Sequence, residues 1–240
     1  MKWLTDMQSV FVIFTLAYSC FSESQSPDVQ RIKCATTHYP PFAIYQQKTG
    51  KFVGRDLDIL RSLEEKFNWQ FKVDNLPWGR VNVEIEKDNY DCFFAMAYED
   101  RRAEHLDYTQ YPLHVTRYGV FHKNTNYNVT DKNFSGLSIG LLRGIPLAPP
   151  VLEMYDLASA NIVYLGSNEI MLSMVELGRI DAAITNYDVG NYVLTEMEEQ
   201  TDIVSFVIEG YRLPVFLVFK KDQQDIDKIN QELSTLITDP

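Results

Sequence analysis

The sequence predicts an α/β protein of two lobes, each a set of strands with helices packed across it. Three observations carry that prediction. The chain has 240 residues and 45% hydrophobic content, enough for one large core or for two lobes of about 100 residues each. Its strand-like and helix-like stretches alternate in two successive sets, as βα units do. The stretch from Asp91 to Thr109 begins as an apolar strand, Cys92 to Met96, and breaks into charge at Glu99, Asp100, Arg101 and Arg102 before Tyr108-Thr109. Ligands in open α/β sheets bind outside the carboxyl ends of strands, and an arginine there can hold a carboxylate with two parallel hydrogen bonds.

Val29 to Thr36 alternates enough apolar residues to be the first strand, and it runs into His38-Tyr39-Pro40-Pro41-Phe42, where the prolines end the ladder and fix Tyr39 at a strand end. After a turn at Lys48-Thr49-Gly50-Lys51, Asp56 is expected as the N-cap of a helix striped by Leu57, Leu60, Leu63 and Phe67. Trp69 to Val73 is the second strand. Val81 to Glu86 alternates as a strand would, yet it separates two runs expected to be parallel, and a parallel connection needs a crossover, so it is assigned as a helix. The stretch opening at Asp91 is the third strand with its loop, and His114 to Lys123 is extended and β-branched.

From Leu137 the βα rhythm begins again. Strand Leu137 to Leu142, turn Arg143-Gly144-Ile145-Pro146, helix near Pro150 to Leu157 and strand Ile162 to Leu165 come first. A helix from Glu169 to Leu177 stopped by Gly178, strand Ile180 to Thr185, helix Asp188 to Met197 and strand Ile203 to Ile208 follow. A separate strand, Leu213 to Lys220, and a helix striped by Ile226, Ile229, Leu233 and Leu236 complete the set. No Gly/Ser linker divides the lobes, so a short hinge must connect them.

The net charge of −11, with no clustered Lys/Arg surface, argues against a nucleic-acid partner. Residues 1–24 read as a removable export signal, with Lys2, an apolar run from Val10 to Tyr18 and small residues after it. That run is shorter than a spanning helix needs. Cys20 is a weak match to a lipid-anchor site. Cys34 and Cys92 fall in predicted strands and read as packing residues, although export permits a disulfide. Neither cysteine has metal-ligand spacing and His38, His105, His114 and His122 form no zinc pattern, so no metal and no cofactor are expected.

Six segments stand in an order that resembles the bacterial extracellular solute-binding proteins of family 3, the type that delivers polar amino acids to ABC transporters. They are Tyr39-Pro40-Pro41-Phe42; Val53-Gly54-Arg55-Asp56-Leu57-Asp58; Pro77-Trp78-Gly79-Arg80; Arg102 through Asp107-Tyr108-Thr109; Leu137 to Gly144; and Gly178-Arg179-Ile180-Asp181-Ala182-Ala183. The resemblance implies a periplasmic-binding-protein-like fold of type II, in which a double-crossover hinge joins the lobes near His114 to Arg117 and Gly210 to Pro214. Lobe 1 would comprise residues 25–113 and 215–240, and lobe 2 residues 114–214.

Carried over from the family, Tyr39 packs on the ligand, Trp78 forms a second aromatic wall, and Arg102 clamps a carboxylate, since it precedes Asp107-Tyr108-Thr109 at the family's spacing. The alternative for Arg102 is a structural ion pair with Glu99, Asp100 or Glu104. Arg80 is a further residue expected at the cleft. Three departures stand out. Glu99 replaces the usual Thr before the clamp, Asn186 replaces the Asp that takes a ligand ammonium, and Gly144-Ile145-Pro146 replaces a Gly-Thr-Thr turn, with Arg143 available as a substitute anion contact. The family also adds a helix beyond the one holding Leu233, where this chain ends at Pro240.

The function implied is periplasmic capture of a small carboxylate-bearing solute, by a monomer that hands it to a membrane permease or a separate sensor chain. The alternatives are a dehydratase-like enzyme on the same scaffold, with Glu99 as acid, and a stand-alone periplasmic sensor module.

Overall fold

The computed structural model describes residues 29–125, 129, 133–144, 147, 149–197, 201–222 and 224–237. The expected export signal with Cys20, the turn residues Ile145 and Pro146, and Pro240 lie outside them. Among the described residues the organising element is one mixed sheet of nine strands. Its first half contains β1 (Gln30–Thr36), flanked in parallel by β4 (Trp69–Asn75) and β5 (Cys92–Ala97). Its second half contains β8 (Ser138–Leu142), flanked in parallel by β9 (Asn161–Leu165) and β10 (Ala182–Asn186). Two antiparallel strands, β7 (His114–Lys123) and β11 (Ile203–Lys220), lie between the halves and complete the order β4-β1-β5-β11-β7-β10-β8-β9.

The parallel pairs need crossovers, and the helices supply them. Here α1 (Arg55–Phe67) joins the β1 region to β4, and α2 (Trp78–Glu84) joins β4 to β5. The helix expected in place of the alternating 81–86 stretch is therefore present, beginning three residues earlier. In the second half α4 (Pro149–Met154) precedes β9, α5 (Asn168–Glu176) precedes β10, and α6 (Tyr187–Glu196) precedes β11. After β11 the chain folds back as α7 (Ile226–Leu236).

Strand alternation places successive side chains in different cores. Cys92 and Phe94 pack with Leu57, Leu60 and Leu63 of α1 and with Ile229 and Leu233 of α7, whereas Phe93 packs with Val81 of α2; Met96 joins that second core because the left-handed Ala95, at φ 59, breaks the alternation. In the second half Val120 and Ile184 share a core with Val151 and Tyr155, while Phe121 and Ala183 meet Met171, Leu172 and Val175 of α5. Each half is thus a sheet covered on both faces, which is why its strands read as near-continuous apolar runs.

Several points differ from the sequence reading. The strands expected at 203–208 and 213–220 are one strand, β11, whose pairing with β7 is interrupted between Val207 and Arg212. The short hairpin β2 (Ile44–Gln46) and β3 (Lys51–Val53), and the strand β6 (Leu106–Tyr108) on β11, were too short to show a period. Asp56 does not cap α1. The N-cap is Gly54, at φ 126, where an added Cβ would stand 2.5 Å from the Phe42 carbonyl oxygen. Only glycine tolerates that approach, so the helix begins one residue before Asp56, whose side chain turns inward to His114.

Cys34 and Cys92 are not plain packing residues. They are Cα partners in the β1–β5 ladder, with Cα atoms 4.5 Å apart, and form a disulfide. The bridge closes a segment with a sequence separation of 58 residues, and in the chain-entropy account a loop of that size stabilises the fold by about 4 kcal/mol. Replacing both cysteines with alanine is expected to lower the unfolding free energy by up to about that amount, read from urea denaturation under oxidising conditions. A reductant should affect the parent protein and leave the double variant unchanged.

Candidate functional site

The two halves meet over a cavity of about 150 Å³. The first half contributes Tyr39, Trp78, Glu99 and Arg102, the second Leu142, Leu147, Thr185 and Asn186, and the crossing strands Thr116, Tyr118, Leu213 and Val215. Four of the six residues expected from sequence therefore line one space: Tyr39, Trp78, Arg102 and Asn186. Arg80 does not. Its guanidinium is turned to Glu84 one helical turn on, at 2.8 Å. The Asn89 hydrogen bond, with Arg80 and Lys87 beside it, holds the Glu84 carboxyl below the usual carboxylate range against its burial. Arg143 is exposed and donates to the Tyr164 carbonyl at 3.2 Å, outside the cavity lining.

Arg102 is buried just beyond the carboxyl end of β5, on the short helix α3 (Asp100–Ala103). Nη1 donates to the Ala97 carbonyl at 3.0 Å and Nη2 to Asn82 Oδ1 at 2.9 Å. The Tyr108 hydroxyl donates to the same Ala97 carbonyl at 3.1 Å, and the Trp78 ring lies 5.7 Å from the guanidinium carbon. These contacts orient the guanidinium while using only part of its five donors. Glu99 stands 3.0 Å from Nη2, so the expected ion pair is present, but its side chain is 52% exposed. An ion pair that wet is worth about 0–1 kcal/mol. A solute carboxylate making charge-assisted bonds in the drier cavity gains about 1.5–3 kcal/mol, so it can displace Glu99.

Asn186 owes its position to the end of β10, where its Oδ1 accepts the Val189 amide at 2.9 Å as N-cap of α6. The cap decides its chemistry. With the oxygen committed, the side chain offers the cavity an NH₂ group, and Nδ2 is buried with no partner. Thr116 Oγ1 is likewise buried without one. An aspartate at 186 could balance an ammonium. This asparagine presents a donor.

Burial pushes the Tyr39 hydroxyl well above its ordinary tyrosine range, against weak hydrogen bonding from Thr116 and Asn186 that falls short of good hydrogen-bond geometry, so it remains a protonated donor. Burial, with Tyr211 adding, pushes Tyr118 up to about 12. Behind Tyr39, the Phe42 ring stacks on His114 at 3.6 Å, and His114 Nδ1 lies 3.0 Å from Asp56 Oδ1. Asp56 therefore anchors the wall that carries Tyr39.

Sequence reasoning missed Thr116, Tyr118, Leu213 and Val215, which line the cavity from the crossing strands. Their signal is period-two alternation. It cannot reveal which face of a strand meets a cavity. Ala95 lines the cavity at φ 59, a left-handed conformation costly for a residue with a Cβ and common at functional sites.

The sequence matches the bacterial extracellular solute-binding proteins, family 3, over residues 32–240. No curated protein matches it. Among solved structures, one similar protein is an ABC uptake transporter substrate-binding protein from Streptococcus pneumoniae with bound histidine, with 18% identity, a TM-score of 0.72 and 86% of each chain covered. The GluR0 ligand-binding core with L-glutamate matches at 16% identity and a TM-score of 0.72, over 87% of this chain and 93% of that one. A histidine kinase sensor domain with similarity to periplasmic binding proteins matches at 15% identity and a TM-score of 0.71, over 87% and 90%. At these identities the structures establish the shared fold.

A hydroxyl left without a partner in a buried cavity costs stability, and an apolar group of the same shape removes that cost. Thr116→Val is therefore expected to raise the stability of the solute-free protein by about 1 kcal/mol, measured by urea unfolding. A fall in stability would mean that the hydroxyl is satisfied within the fold.

Proposed function

From the premise that the chain belongs to the bacterial extracellular solute-binding proteins, family 3, we propose that it captures a small carboxylate-bearing solute between its lobes, outside the cytoplasmic membrane in the periplasm, and delivers it to an ABC-type permease. The observation that carries this is the pairing of an oriented, buried Arg102 with the unpartnered Asn186 Nδ2 across one cavity. The solute needs acceptor atoms at both ends. Its carboxylate meets Arg102 over the Trp78 ring, and a carbonyl, hydroxyl or second carboxylate oxygen meets Asn186 and Thr116. Between them the walls are Leu142, Leu147, Leu213 and Val215, which suit a short apolar body. An α-ammonium gains no carboxylate except Glu99, which already faces Arg102.

Lobe 1 then comprises residues up to 113 with those from 215, and lobe 2 residues 114–214. A solute touching both favours the closed arrangement by its differential contacts. The reading is one of binding without chemistry, since Glu99 is held by a guanidinium and no nucleophile with its base lines the cavity among the described residues. Likeness to a histidine kinase sensor domain keeps a sensor chain as the second possible recipient. Pull-down against a co-expressed permease and a co-expressed kinase separates the two.

A thermal-shift screen over amino acids, keto acids and dicarboxylates identifies the solute by its stabilisation of the folded protein. With that solute, Arg102→Ala is expected to weaken binding by about 100-fold, the loss of roughly 2.8 kcal/mol. Glu99→Gln should tighten it, because the competing carboxylate is gone. Unchanged affinity in Arg102→Ala removes the clamp. Turnover of the solute that Glu99→Gln abolishes makes the protein an enzyme.

A further inference from the structure

A second concavity lies at the hinge, a groove of about 640 Å³ bordered by Pro41, Phe42, Arg55, His114, Val115, Arg117, Asp188 and Arg212. Its charge is opposite to that of the molecule. In a chain of net charge −11, three arginines from three separate elements line this groove: Arg55 from the first turn of α1, Arg117 from β7 and Arg212 from β11. Arg117 and Arg212 are directly opposed Cα partners in the β7–β11 ladder, an arrangement in which like charges destabilise the pair.

The acidic groups near them are few. Asp188 pairs with Arg117 at 3.1 Å, and the Tyr187 ring lies 5.3 Å from the same guanidinium. Asp56 is fully buried behind the groove and bonded to His114, which borders it. Arg55 and Arg212 have no acceptor among the described residues. Guanidinium forks match the paired oxygens of phosphate and carboxylate groups, and several of them converging suit an anion of more than one charge.

We infer that this groove binds a multivalent oxyanion of the phosphate class, held by Arg55, Arg117 and Arg212. The bound anion relieves the Arg117–Arg212 repulsion and ties α1 of the first lobe to both crossing strands, so it restrains hinge bending from the face opposite the solute cavity. The three arginines line the groove whichever solute the cavity takes.

Inorganic pyrophosphate is the probe. Calorimetry on the full chain at low ionic strength is expected to give saturable one-to-one binding, accompanied by a rise in Tm. Arg55→Gln and Arg212→Gln should each weaken it by at least about tenfold. Arg80→Gln, which removes an equal charge outside the groove, should leave it unchanged. In the parent protein pyrophosphate should also protect Arg212 from dicarbonyl modification, read by peptide mass, a measurement that needs no variant. The inference is overturned by absence of saturation up to about 10 mM, by equal loss in Arg80→Gln, or by modification of Arg212 at the same rate with and without pyrophosphate.

Discussion

The pairing of β7 with β11 is the constraint on which the rest of the molecule depends. Each half of the sheet could close its own core, because each has parallel strands with helices on both faces. Among the described residues, only these two antiparallel strands stand between the halves in the sheet order. Their ladder is regular from Ile203 to Val207 and again from Arg212 to Val215, and lapses between them. Gly210, at φ 82, lies in the lapse. The register of the ladder shifts where the chain passes from one half to the other, and β11 runs on through the shift as one strand.

Hanging the cavity on this ribbon explains its chemistry. Arg102 and Asn186 stand at strand ends in different halves, and each is held by bonds made to its own half: Arg102 by Ala97 and Asn82, Asn186 by the first turn of α6. Neither depends on the other half for its orientation. Both keep donors free for a third party, and the orphaned Thr116 hydroxyl on the crossing strand adds a polar group between them. Buried groups without partners cost about 1–3 kcal/mol each, a cost that a core selected for stability alone would shed. The wet Glu99 pair works in the same direction, since an ion pair that exposed can yield to a stronger acceptor.

Much of this was legible in the sequence because it rests on local pattern. The strand 114–123 follows from its extended, β-branched character and the last helix from periodicity, and the helix expected over 81–86, observed at 78–84, follows from the topology of parallel strands, which overrides a misleading alternation. The family resemblance, through its spacing to Asp107-Tyr108-Thr109, singles out Arg102 over Arg101; Arg102 lines the cavity and Arg101 is turned outward to Glu86. What escaped depends on contacts between distant residues. Asp56 has the residue type and position of a cap, but a close approach of the Phe42 carbonyl moves the helix start to Gly54. Cys34 and Cys92 each resemble core residues, and only the β1–β5 register joins them. Arg80 and Arg143 carry the right charge on the wrong side of their elements. The role of Asn186 as a donor follows from the cap, which needs the three-dimensional helix start to be known.

The alternation that hides these residues from a linear reading is also what lets one ribbon serve two faces. Along β7, Thr116 and Tyr118 face the cavity while Val115 and Arg117 border the groove. Along β11, Leu213 and Val215 face the cavity while Arg212 borders the groove. Neighbouring side chains in a strand point to opposite sides, so the cavity and the groove are separated by a single layer of backbone. A change of twist in that layer moves both sets at once. The lapse in the ladder beside Arg212 makes such a change inexpensive, and a charge imbalance on one face becomes a force on the geometry of the other.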